Sequence, residues 1–268
     1  DFNKNSTELD IKSMITPLNH RGPDGEGTLI LNNENAIIGL GHKRLSIIDL
    51  SIAGKQPMSF DNLHITYNGE IYNYQEIKKD LSALGHEFVG ESDTEMILHA
   101  YQEWGIKGID KFIGMFAIVI FDEQKNEVHL IRDRAGVKPL FYYQKNDIIL
   151  FASELKSFHE HPQFEKELDL NAVAAFMQYG NVPTPHCIFK NCYKIKPGKY
   201  LKIDLNSKSK KEFGYWNVYD YYNKPKLNIS YEDAVDKTKK ILLSAFQYRM
   251  VADVPVGIFL SGGYDSAT

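Results

Sequence analysis

Two stretches near the middle of the chain, residues 115–133 (MFAIVIFDEQKNEVHLIRD) and 139–153 (PLFYYQKNDIILFAS), each consist of two β-branched and aromatic runs broken by a short polar turn. Runs of that kind read as strands, and the turns at EQKN and QKND close them into antiparallel hairpins. Upstream, residues 36–42 and 63–67 read as two more short strands, separated by the turn-rich SIAGKQPMSFDN. Between these strand groups lie two helical patterns. In the first, from Tyr74 to Leu84, Ile77, Leu81 and Leu84 recur at helical spacing and Gly85 follows as a stop residue. The second starts at Ser92, a side chain suited to cap a helix, with Glu95 at the capping-box position; it turns Met96, Ile97, Ala100 and Tyr101 inward and ends before Gly105. Runs of strands with helices between them predict layered α+β packing, not βαβ alternation.

With 43% hydrophobic and 12% aromatic residues in 268, the chain can fill a core. The longest apolar stretch, 112–121, is far shorter than the ~20 residues a membrane span requires, so no membrane partner is expected. A net charge of −4 carries no footprint of a nucleic-acid partner. The two cysteines, Cys187 and Cys192, make no disulfide framework and fit a reducing, cytoplasmic setting. No signal peptide is visible, and Asp1 is not expected to be the natural N-terminus.

Residues 206–228 are polar, then aromatic, without a clean period, and read as a connection between a first domain (1–205) and the opening of a second (229–268). In the latter, Ser230-Tyr-Glu-Asp is a capping signature. Ala234, Thr238, Ile241, Leu242, Ala245 and Phe246 follow at helical spacing. Next comes Val254-Pro-Val-Gly-Ile-Phe-Leu, read as a buried strand, running into Ser261-Gly262-Gly263-Tyr264-Asp265-Ser266. Paired glycines at a strand end, followed by a helix start, can direct backbone N–H groups at a phosphate or pyrophosphate. The lysine of a Walker loop is absent.

Four polar clusters in the first domain sit at turns or strand ends. In His20-Arg-Gly-Pro-Asp-Gly25, Arg21 and Asp24 could pair within a structural turn. Arg44, in HKRLSIID, has apolar neighbours and suits either a bidentate grip on a carboxylate or an internal salt bridge. Asn68-Gly69-Glu70 follows a strand; it reads as a tight turn, or as an Asn amide and a Gly N–H aimed at one oxyanion. Asp93, at a helix start, either caps that helix or faces an ammonium group.

Taken in order, HRGPDG, HKRLSIID, YNGEIYN, SDTE, GMFAIVIFD, RDRAGVKPLFY, ASELK and VPVGIFLSGGYDS resemble the asparagine synthetase family over nearly the whole chain. The resemblance implies a class II glutamine amidotransferase domain with the N-terminal-nucleophile hydrolase fold, a four-layer αββα sandwich. After it would come the first helix and strand of an α/β ATP-pyrophosphatase domain. It implies an oxyanion hole from Asn68 and the Gly69 N–H. Arg44 would hold the glutamine α-carboxylate, with backbone of a Ser46-Ile47-Ile48 strand nearby, and Glu70 and Asp93 would take the α-ammonium. ATP would place its pyrophosphate over Ser261, Gly262, Gly263, Asp265 and Ser266 and its adenine near the Leu260 backbone, with Mg²⁺ close to Asp265. The nucleophile in that family is a first-residue cysteine on a short strand leading into a segment like Asp1-Phe2-Asn3. Neither Cys187 nor Cys192 is in that position, so an upstream cysteine is expected, and residues 1–268 are expected to be inactive by themselves. The acceptor is aspartate in the simplest case. Tyr264 leaves open another carboxylate, such as a sugar acid in surface-polysaccharide assembly, and a glutaminase-dead scaffold is a further alternative. The family also implies a homodimer.

Overall fold

The computed structural model describes residues 4–267, the side chains of Lys4, Asp265 and Ala267 excepted. The segment Asp1–Asn3, where the expected N-terminal strand would lead in, and Thr268 lie outside the described residues.

The first helix, α1 (Lys4–Ile15), precedes a hairpin of β1 (Gly25–Asn32) and β2 (Ile37–Arg44). Then come β3 (Met58–Phe60), β4 (Leu63–Ile71), α2 (Tyr74–Ala83) and α3 (Asp93–Trp104). The two hairpins legible in the sequence follow, β5 (Gly114–Asp122) with β6 (Glu127–Arg132) and β7 (Phe141–Lys145) with β8 (Ile148–Ala152). After α4 (Leu170–Tyr179) the chain forms β9 (Cys192–Lys194), β10 (Lys199–Asp204) and β11 (Ser209–Gly214), and the short α5 (Val218–Tyr222) leads away from them.

The strands make an antiparallel six-stranded sheet in the order β11-β10-β6-β5-β4-β3, a two-stranded β1-β2 unit and a three-stranded β8-β7-β9 sheet. On one face of the large sheet, Ile77 and Leu81 of α2 and Met96, Ile97 and Ala100 of α3 pack on Ile65, Tyr67, Phe116 and Ile118. On the other face, Ala117, Val119 and Leu130 meet Ile38 and Leu40 of β2, Leu140 and Phe151. Beyond these smaller sheets α1 packs on β1 and β2, while Met14 joins Tyr143, Leu150 and Phe158 in a third cluster. The layers are therefore helix, sheet, sheet, helix. Sandwiching explains why β5 is buried along both faces and reads as an unbroken apolar run. Phe116, fully buried in β5, meets Phe112 edge-on at 6.0 Å between ring centroids. Phe116→Ala is expected to cost about 3–5 kcal/mol, measured by denaturant unfolding.

Local predictions hold at the helices. Ser92 accepts the Glu95 N–H at 3.2 Å. The Glu95 carboxylate, however, turns outward to Val89 N–H at 2.7 Å and Gly90 N–H at 2.8 Å instead of completing a capping box, because the preceding loop offers closer donors.

Three expectations need correction. Residues 209–214, read as part of a connection, form β11 on the edge of the large sheet; Ser-Lys-Lys-Glu there is exposed on both faces and so shows no apolar alternation. Ser46–Ile48 is loop rather than strand, because its backbone bonds are made one at a time, Ser46 N–H to Asp24 Oδ2 and Ile47 C=O from Asp253 N–H. Lastly, the expected strand before Leu260 is absent among the described residues. Although α6 (Tyr231–Arg249) forms and Ser230 caps it, the apolar run beyond it pairs with no neighbouring strand and leaves Phe259 99% exposed. A strand requires a partner ladder, and apolar composition alone does not supply one.

Candidate active site

Between the two sheet layers lies a cavity of about 830 Å³. Arg44, Ile47, Ile48, Asn68, Gly69, Glu70 and Asp93 all line it, so residues scattered over fifty positions of sequence converge. Ser46 does not reach the lining; its backbone N–H donates to Asp24 Oδ2 at 2.8 Å. That bond also takes Asp24 away from Arg21, which instead pairs with Glu154 at 2.9 Å. Burial opposes ionisation of Glu154, but Lys156, Arg21 and His20 around it hold its carboxyl down at about 2.

Arg44 ends β2 and reaches over the loop that follows. One guanidinium nitrogen donates to the Ser51 carbonyl at 2.8 Å and the other to the Asp49 carbonyl. Its hydrogen-bond partners are main-chain oxygens, while the Asp49 carboxylate feels its charge without forming an ion-pair contact, so the guanidinium can still face an anion. A Cβ on Gly54 would run into the guanidinium, which shows how closely that backbone walls the arginine. Nearby His42 is driven down to about 4 by burial and by Arg44, and so is neutral near pH 7.

Asn68 and Gly69 are in β4, opposite Ala117 and Phe116 of β5. The Asn68 amide nitrogen makes one long bond to Ser153 Oγ at 3.4 Å, which leaves donor capacity facing the cavity. Gly69 is sterically obligatory: an added Cβ would strike the Met115 carbonyl. The pair sits within the strand, so the tight-turn reading of Asn-Gly does not apply.

Asp93 opens α3 and is buried. Its Oδ2 accepts the Tyr67 hydroxyl at 2.8 Å and the Ile71 N–H at 3.0 Å. Burial raises its pKa to about 6 despite these donors. Glu70 is also raised, first by burial and then by the Asp93 charge, while Lys138 nearby works the other way. Two carboxylates ionised at a desolvation cost make a receptor for a cation. If that cation is an α-ammonium, binding requires the ionised pair, so KM for the amino acid is expected to rise as pH falls through about 6. An initial-rate pH series checks this, and Asp93→Asn should flatten the acidic limb while weakening binding above it.

Sequence reasoning missed several participants. Gln56 accepts the Tyr67 N–H at 2.7 Å and donates to Thr94 Oγ1 at 3.1 Å, bracing the strand that carries Asn68. Tyr67 itself orients Asp93. Lys138 is set by the turn around Asp133, whose carboxylate accepts N–H groups of Ala135, Val137 and Lys138. An Asp at the head of Asp-Arg-Ala-Gly was the available signal for that turn. Cys187 and Cys192 lie in the third core cluster and do not line the cavity, and burial pushes both thiols up to about 12. The far Ser261-Gly262-Gly263 turn lies outside this cavity. Gly262 has φ 77° and open space above it, and Ser261 and Ser266 hydroxyls stand 2.9 Å apart. Leu260 is exposed, and the Asp265 side chain lies outside what is described.

The layered sheets have the fold of the N-terminal-nucleophile amidotransferases. The solved Bacillus subtilis glutamine phosphoribosylpyrophosphate amidotransferase, complexed with ADP and GMP, superposes at TM-score 0.57 and 19% identity over 78% of this chain and 46% of that one. The glutamine amidotransferase domain family matches residues 1–216, and the asparagine synthase family matches residues 237–268. A putative glutamine-hydrolysing asparagine synthetase 2 of Methanocaldococcus jannaschii is 38% identical over all of this chain and 54% of its own length. Asparagine synthetase (glutamine-hydrolysing) 2 of Bacillus subtilis is 36% identical over 96% of this chain and 35% of its own. The chain belongs to the glutamine amidotransferase domain family, and its relatives by sequence are named as glutamine-hydrolysing asparagine synthetases. It spans about half the length of these relatives, or less. Among the described residues no helix is long and apolar enough to cross a membrane.

Proposed function

We propose that the protein containing this chain is a cytoplasmic, glutamine-dependent asparagine synthetase. Glutamine is hydrolysed to glutamate and ammonia at the cavity. ATP and aspartate form an aspartyl-adenylate and release pyrophosphate, and ammonia then displaces AMP to leave asparagine. The observation that supports this most directly is the cavity itself. An arginine with no ion-pair contact to a carboxylate among the described residues, together with Glu70 and Asp93, is the complement of an amino-acid zwitterion.

In this reading Arg44 grips the α-carboxylate, walled by Ile47 and Ile48, and Glu70 and Asp93 take the α-ammonium. That fixes the side-chain amide beside Asn68 and the Gly69 N–H, which stabilise the oxyanion of the tetrahedral intermediate. The nucleophile is a first-residue cysteine upstream of Asp1, its own α-amine acting as base. Cys187 and Cys192 do not suit the role, since neither lines the cavity and both thiols are strongly disfavoured from ionising. The Ser261–Ser266 turn belongs to the ATP half of the proposal. Its serine hydroxyls and the unobstructed backbone at Gly262 fit a pyrophosphate, and ATP would arrive with Mg²⁺.

The test is glutamate release by the full-length protein with and without ATP and aspartate. Release stimulated by both, with asparagine as product, is the expected result. Hydrolysis indifferent to aspartate would reject that acceptor, and no hydrolysis in a protein bearing the cysteine would reject the glutaminase.

A further inference from the structure

The segment leaving α6 returns to the first domain and touches it at the loop that holds Arg44. Tyr248 donates to Glu76 Oε1 at 2.7 Å, Arg249 lies over the Tyr72 ring at 5.5 Å, and Val251 packs on the core cluster of α2 and α3. Asp253 then makes two bonds to one loop. Its N–H donates to the Ile47 carbonyl at 2.9 Å, and its Oδ2 accepts the Asp49 N–H at 2.7 Å.

Asp49 is the residue this staple holds. It is buried, and its φ of 53° lies in the left-handed region that side chains other than Gly, Asn and Asp rarely adopt. Every polar group of Asp49 is engaged: its carboxylate accepts N–H groups of Ser51 and Glu91 at 3.0 Å, its carbonyl accepts from Arg44, and its N–H is taken by Asp253. A backbone in a sparsely populated conformation persists where its surroundings over-determine it. The Asp49 carbonyl, one peptide on from the stapled N–H, is one of the two main-chain oxygens that hold the Arg44 guanidinium. Its orientation therefore sets where the guanidinium stands.

We propose that Asp253 is a positioning residue for glutamine: by stapling the Ile47–Asp49 loop it fixes the presentation of Arg44. This rests on the reading of Arg44 as the carboxylate ligand. The staple belongs to the segment that runs, eight residues on, into Ser261, so the glutamine clamp of the first domain is completed by chain from the second.

The experiment uses the full-length protein with Asp253→Ala and Asp253→Asn, read by glutamine kinetics and by amide hydrogen exchange at Asp49. In D253A, KM for glutamine is expected to rise about tenfold with kcat within about a factor of two, since binding geometry is lost and not the oxyanion donors. D253N keeps an acceptor oxygen and should recover most of the affinity. Adding D253A to R44A should raise KM no further, because the two act through one group. The Asp49 amide should exchange about tenfold faster in D253A. An unchanged KM, or additive effects with R44A, would overturn the positioning role; unchanged exchange would overturn the staple itself. If the unmodified protein consumes no glutamine, the reading of Arg44 fails by that result, and exchange at Asp49 still decides whether Asp253 holds the loop.

Discussion

In full-length protein carrying Asn68→Ala, kcat for glutamine hydrolysis is expected to fall by about 10²–10³, equivalent to about 2.7–4 kcal/mol, with little change in KM. The reason lies in how the amide is held. Its one bond, to Ser153 Oγ at 3.4 Å, is long, so the ground state uses little of its donor strength. A negatively charged oxygen forming beside it would draw that donor in, and the gain is realised only in the transition state. Gly69 contributes from the backbone and cannot be probed by a side-chain deletion; the clash of any Cβ with Met115 would disturb β4 and β5 together. The measurement is steady-state glutamate release. A kcat within a factor of about two of the unmodified protein would exclude Asn68 from the oxyanion hole.

Arg44→Ala should act on the other kinetic constant. Hydrogen bonds to charged groups contribute about 1.5–3 kcal/mol each, so loss of a two-pronged grip on a carboxylate should raise glutamine KM by roughly 10²-fold or more. Synthesis supplied with free ammonia bypasses the clamp and should persist. Arg44→Lys should recover only part of the loss, because one ammonium cannot hold the Asp49 and Ser51 carbonyls and also present a planar fork to the substrate. Equal loss of glutamine- and ammonia-dependent product would contradict the assigned role.

Much of this architecture was legible in the residues. The hairpins at 115–133 and 139–153, the helix from Tyr74 and the Ser92 cap follow from alternation, helical spacing and capping chemistry, which are local signals. What escaped was set by tertiary contact. Helix α1 carries Lys, Asn, Ser, Thr and Glu with a weak apolar stripe, and it is placed by docking on β1 and β2. The edge strand β11 has no buried face along most of its length. At the site, Arg44, Asn68-Gly69-Glu70 and Asp93 could be named, but neither the left-handed Asp49 nor the Gln56 brace announces itself, since each depends on partners far along the chain. Residues 254–260, expected as a strand, pair with no strand among the described residues, since a ladder depends on partners that an apolar run does not itself supply.

The burial of Cys187 and Cys192 has a practical consequence for chemical labelling. Thiol reagents attack thiolates, and groups pushed up to about 12 inside a packed core react slowly with them. A native protein with an additional cysteine at its N-terminus would therefore be alkylated at that residue ahead of Cys187 and Cys192. One equivalent of an electrophilic glutamine analogue would then titrate active sites while leaving Cys187 and Cys192 unmodified.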